Sequence, residues 1–387
     1  MAGNVTYRGV SLFIDDNPIY RASSFGSSFT RGIEEVYELG NKDSVGVVEG
    51  DNSTDITLDI YDHGSIDMLR YLARKSTGDI SFQDDFDNKA VDLWATVEPS
   101  DAPGTYFTQV LGNVFLNSVR YSYTVDGNFT ESYSLACDNK YWVKNNKVVQ
   151  EDVNVVTNGK LSLVATPNAV FAVKLNDKPL VKDVDWTWES GTTIECDSAV
   201  VGDTAIVTYC VTGTPTLFTP NTEKPAALRR AHAVVYLVKD RELATGTGRI
   251  SNAATNKERL RLAQNINIDV TLNRDETKEL GTQAIVGRYI QYPINVTVSF
   301  DVTGNFFDVY QVFNGGENPN IIDLSLFKCD SVGLLIEVFK DKDQKEEHKL
   351  KTIEIPTLVP TDESMPVSID SKATQSMSFR SHNAFVY

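Results

Sequence analysis

Paired carboxylates are the residues in this chain best suited to acid–base chemistry, and they occur twice, as Glu34-Glu35 and Asp275-Glu276. A working pair needs a cleft and two pKa values driven apart by unlike surroundings. Each pair stands just before the same tripeptide, Glu38-Leu39-Gly40 and Glu279-Leu280-Gly281, and reads as loop or interface charge. The histidines, His63, His232, His348 and His382, are remote from one another, and none forms a metalloprotease-type helical pair. Cys137, Cys196, Cys210 and Cys329 lack the close spacing of a zinc site. Cys196 and Cys210 can meet if their strand-like runs form a hairpin, although a cytosolic setting favours free, packed thiols. Gly246-Thr247-Gly248 lacks the Gly-Lys-Ser/Thr ending of a phosphate loop, and Leu228-Arg229-Arg230-Ala231-His232 is an isolated basic patch suited to subunit contacts. No catalytic, cofactor-binding or metal-binding residues are expected.

The elements that position these residues are strands. Alternation of apolar and polar residues runs through Asp55 to Ile60, Val119 to Val125 and Asn295 to Phe300, the pattern of half-buried β-structure. Helical spacing is confined to Ile66 to Leu72, with Ser65 as a candidate cap, and to the stretch Phe306 to Phe313. Tyr121, Tyr123, Phe129 and Tyr133 suggest a carbohydrate platform, but core and cross-strand packing account for them more simply.

Composition narrows the function further. At 387 residues the chain calls for more than one core, and no run reaches the roughly 18 apolar residues of a membrane span. Met1 to Val10 lacks the basic start and apolar run of a secretory signal, so assembly inside the producing cell is expected, and the sequons at Asn4, Asn52, Asn128 and Asn295 are discounted. Lys and Arg total 36 against 53 for Asp and Glu, a formal charge of -17 that repels nucleic-acid phosphates. Such a surface disfavours gripping DNA but suits a wall along which a duplex slides without sticking.

Self-similarity organises the whole chain. Glu38-Leu39-Gly40 returns 241 positions later as Glu279-Leu280-Gly281, Thr30 meets Thr271, and Val45-Gly46 meets Val286-Gly287. Ile56-Thr57-Leu58 then aligns with Val296-Thr297-Val298, and Thr130 to Leu135 aligns with Thr374 to Phe379. The expected organisation is a first copy over 1–148, a β-sandwich insertion over 149–222, and a second copy over 223–387, with 215–224 as linker.

A strand, acidic residues, Glu-Leu-Gly, a glycine-bearing loop, an alternating strand and a short helix together resemble the tail tube proteins of tailed phages. The resemblance covers about Tyr20 to Trp142 and Leu260 to Tyr387, and the middle segment resembles the immunoglobulin-like decorations of some phage tubes. It implies a mainly β fold of two antiparallel barrel or sandwich domains, each with a short flanking helix. It also implies stacked rings, trimeric and pseudo-hexameric, forming a conduit for genome ejection in a virion tail assembled in the host cytoplasm. Partners would be other copies of the chain and tail proteins such as terminator, tape measure and baseplate or tip. Glu38, Leu39, Gly40, Glu279, Leu280 and Gly281 are the candidate subunit contacts. A β-sandwich adhesin or carbohydrate-binding protein is the alternative.

Overall fold

The computed structural model describes residues 7–39, 42–218, 227–280, 285–303, 307–313, 332–365 and 374–387. The fold is mainly β, and the pairings between its named strands are antiparallel. A continuous run of eight strands crosses the molecule in the order Ala22–Thr30, Ser53–Tyr61, Thr130–Cys137, Phe107–Thr124, Ala263–Thr271, Asn295–Thr303, Thr374–Ser381 and Val359–Ser364. Among the described residues this sheet does not close on itself.

The element order repeats along the chain. Ala22–Thr30 recurs as Ala263–Thr271, Ile33–Tyr37 as Arg274–Lys278, and Ser44–Glu49 as Ile285–Ile290, each of equal length. Ser53–Tyr61 recurs as Asn295–Thr303, the helix Asp67–Ala73 as Phe307–Phe313, and Thr130–Cys137 as Thr374–Ser381. Behind the eight-strand run lie two smaller sets. Tyr7–Ile14 pairs with Val91–Pro99, which pairs with Phe107–Thr124; in the second half Ala233–Val238 pairs with Gly333–Phe339, which pairs with Lys349–Ile355.

Ile56 pairs with Leu135 while Val298 pairs with Phe379, so the structural counterpart of Ile56 is Val298 rather than Val296. The alignment expected from sequence is therefore two residues out. A slip of two leaves every side chain on its own face, so alternation cannot detect it.

One apolar core runs through both halves, from Leu12, Ile56, Leu58 and Leu135 to Val298, Phe300, Phe313 and Val386. A buried charge network fastens the halves together. Lys351 Nζ lies 2.6 Å from both Asp62 and Glu131, and Tyr123 donates to Asp62 at 3.0 Å. Burial, helped by Asp62, raises the Glu131 carboxyl against the pull of Lys351. Burial would lower Lys351, but its two carboxylates prevail and raise it.

The middle segment has its own core, formed by Val153, Leu161, Val173, Trp186, Ile194, Val207 and Tyr209 between a four-stranded and a two-stranded sheet. Asn146–Asn154 runs through the expected 148/149 joint and pairs along its length with Thr204–Thr212. Cys196 belongs to this core and Cys210 to the packing against the first half; both are free and buried, as is Cys137. The segment docks through fully buried Lys174, which pairs with Asp92, while Arg74 binds Asp15 and Asp177 at 2.8 Å each. The expected linker 215–224 lies partly outside the described residues.

Candidate assembly edges and arms

Two hairpin arms leave the eight-strand sheet at equivalent places. In the first, Ile33 pairs with Glu49, Glu35 with Val47 and Tyr37 with Ser44; in the second, Arg274 pairs with Ile290, Glu276 with Arg288 and Lys278 with Ile285. Each register slips at its penultimate pair, Val36/Tyr37 in one and Thr277/Lys278 in the other. The acidic pairs therefore lie on arm strands rather than in loops.

Beyond those strands come the predicted contact residues. Glu38 and Leu39 project at one tip and Glu279 and Leu280 at the other, with Leu39 and Leu280 fully exposed. Gly40 and Gly281 lie outside the described residues. A leucine held wholly in water stabilises nothing within its own chain.

The arms differ in what lies beneath them. The second arm is seated on the first half of the chain: Arg274 Nε donates to the Leu116 carbonyl at 2.8 Å, and Ile290 N–H donates to Asp87 at 2.9 Å. The Arg274 and Arg288 guanidinium groups lie 5.3 and 5.6 Å from the Phe115 ring centre, within cation–π range. Burial lowers Arg274 to about 10. Arg288 is bound by Asp138, whose carboxyl burial raises despite the nearby guanidinium. The first arm, by contrast, is exposed along both strands, with Ile33, Val36, Tyr37, Val45, Val47 and Val48 open to solvent.

The outer strands of the eight-strand run, Ala22–Thr30 and Val359–Ser364, each pair on one side only among the described residues. Phe29 is 44% and Met365 43% exposed. The open face of the sheet is mainly polar, although Tyr61, Ala136 and Phe115 also lie on it and Arg120 and Arg380 stand among its charges. It carries Asp55, Thr57, Ser132, Ser134, Ser299 and Ser378, and is tied together by hydrogen bonds from Ser122 to Asn267 at 2.8 Å, Asn265 to Asp301 at 3.0 Å and Ser376 to Asp301 at 2.6 Å.

The other sequence candidates are not gathered into one site. Ser65 Oγ accepts from Asp67 N–H at 3.1 Å, but the residue bounding that helix is Ile66. Tyr121, Tyr123, Phe129 and Tyr133 are buried and form no surface platform. Arg229 binds Asn128 at 2.8 Å beside buried Leu228. His348 meets Asp341 and Asp343 on an exposed turn far in sequence from the other histidines. The free edges were missed at the sequence level, although the mismatch between Arg274 and Arg288 in one arm and Ile33 and Val47 in the other was an available signal.

No family model and no curated protein matches this chain. Among solved structures it is matched to the SPP1 Dit (gp 19.1) protein, described as a paradigm of the hub adsorption apparatus in phages that infect Gram-positive hosts. The identity is 10%, the match covers 53% of this chain and 100% of that one, and the TM-score is 0.18.

Proposed function

We propose that this chain is a structural subunit of a phage tail tube that assembles as stacked rings through internally duplicated β domains. The observation carrying the proposal is the eight-strand run, in which the second four strands repeat the first four and continue the same sheet. A repeat that adds itself edge to edge has no internal reason to stop after two units. Ring closure would remove both exposed edges, which otherwise invite uncontrolled pairing.

Three chains make the ring. Two chains would supply sixteen strands, the count of barrels of about 16–18 strands that leave only an aqueous channel. Three supply twenty-four, a wider bore in which the polar face, bearing Asp55, Asp59, Asp269 and Asp301, lines the lumen. The carboxylates there outnumber Arg120 and Arg380 on the same face and repel phosphate, letting a duplex pass, so the function is geometric and electrostatic rather than catalytic.

Negative-stain electron microscopy of the purified chain over a concentration series tests this reading. Rings and hollow rods that increase with concentration are expected; dispersed compact particles at every concentration would overturn it.

A further inference from the structure

Resting on the tube reading, we propose a specific joint between successive chains. Ala22–Thr30 of one chain pairs antiparallel with Val359–Ser364 of a second copy, and the first arm's strands, Ile33–Tyr37 and Ser44–Glu49, lie over that strand. The joint is head-to-tail, so it propagates around a ring instead of closing a two-fold dimer.

The chain already contains the pattern for this joint. Inside the molecule Ser118 pairs with Thr271, Val119 with Val270 and Arg120 with Asp269. Thr271, Val270 and Asp269 have Thr30, Phe29 and Ser28 as counterparts on the repeated strand. Ser118, Val119 and Arg120 have Asp362, Glu363 and Ser364, because both sets pair with equivalent residues of the repeated neighbour strand. Even the irregularity recurs, with Asn117 skipped in one ladder and Thr361 in the other. The predicted register is thus Thr30 to Asp362 of the partner subunit, Phe29 to Glu363 of the partner subunit and Ser28 to Ser364 of the partner subunit.

Burial supports the same assignment. Val270 and Tyr121 are each 1% exposed at the internal joint, whereas their counterparts Phe29 and Met365 are 44% and 43% exposed. The free edges therefore display Phe29 and Met365 at positions that the internal joint buries, while buried Val119 has exposed Glu363 as its counterpart. The internal ion pair Arg120–Asp269 is replaced by two serines, which brings no like charges into opposition.

The arm fits by matched replacement. Arg274 and Arg288 flank Phe115 within the chain. Their counterparts in the first arm are Ile33 and Val47, and the counterpart of Phe115 is Val359. A cation–aromatic seat inside the chain becomes an aliphatic seat between chains, with Ile33 and Val47 against the partner's Val359 and Pro360. Both sides change together, which commits the exposed arm to a second copy of this chain.

Full-length Ser28→Cys/Ser364→Cys, oxidised to the disulfide and run on a non-reducing denaturing gel, tests the register. The double variant is expected to form covalent oligomers at least about tenfold more efficiently than either single variant or the off-register pair Ser28→Cys/Asp362→Cys. Ile33→Asp/Val47→Asp is expected to raise the concentration needed for assembly by about tenfold without shifting the melting temperature, because both residues are exposed in the isolated chain. Rings or rods without cross-linking would overturn this joint and leave the tube reading standing. Cross-linked open chains without closed rings would keep the joint and overturn the tube. Particles that neither assemble nor cross-link would overturn both.

Discussion

Arg120 and Asp269 face each other at 3.5 Å across the joint that fuses the two halves of the sheet, each substantially exposed to solvent. Burial raises the Asp269 carboxyl even though Arg120 pulls it down, the signature of a pair that gains little from its own attraction. The joint is held instead by the residues beneath, Val119, Tyr121, Ile268 and Val270.

That division of labour predicts unequal costs. Arg120→Ala should cost less than about 1 kcal/mol in urea denaturation. Ile268→Ala, at a site with no exposure, should cost about 2–5 kcal/mol. Equal losses would contradict an apolar joint.

The network around Lys351 predicts a reversal of pH dependence. Lys351→Met strands Asp62 and Glu131 together in the core and should cost about 3–5 kcal/mol at neutral pH. Glu131, already raised above its ordinary value, would rise further in the variant, so the penalty is present above that value and relieved as pH falls through it. Thermal melts should show the variant approaching the wild type on acidification from pH about 7 to about 5. In the wild type the raised Lys351 contribution is lost only as pH climbs through its folded value, on the alkaline side. A constant gap between the two proteins across the acid range would contradict this.

Docking of the middle segment should respond to acid in the opposite sense. Burial pushes Asp92 up, but Lys174, Thr208 and the Asn113 N–H outweigh it and hold the carboxyl below its ordinary 3.8. The stability this supplies is complete above 3.8 and lost as pH falls through the lower folded value. Asp92→Asn should therefore flatten the fall in melting temperature between pH about 4 and about 2. Parallel acid slopes in the two proteins would show that Asp92 does not carry the effect.

Much of the β architecture was legible because alternation reports which face of a strand is buried, as at Ile56, Leu58 and Ile60. The helix Phe307–Phe313 and the arm tips at Leu39 and Leu280 were legible for similarly local reasons, apolar spacing in one case and a repeated tripeptide in the other. The 18-residue strand Phe107–Thr124 was not, because its ladders slip near Leu111 and again at Asn117, and it serves two sets of partners. Its counterpart in the second half is divided into Lys349–Ile355 and Val359–Ser364, with Pro356 between them, which hid the equivalence. Which edges would be left open depends on pairings between distant segments, and no local pattern encodes those.

The polar face predicts how the assembly treats DNA. Assembled wild-type protein should show no salt-dependent affinity for duplex, whereas Asp55→Lys/Asp301→Lys should gain about tenfold or more at low salt, declining as salt rises. Fluorescence anisotropy over a salt series measures both. Tight wild-type binding would contradict a non-adhesive wall.

The most direct measurement is a cryo-electron microscopy reconstruction of the assembled particle with the strands traced. The account predicts three chains per ring, each contributing its eight-strand run to one continuous barrel, with the Asp55 and Asp301 face toward the bore. Rings in which Ala22–Thr30 and Val359–Ser364 remain unpaired, or in which that polar face points outward, would contradict it.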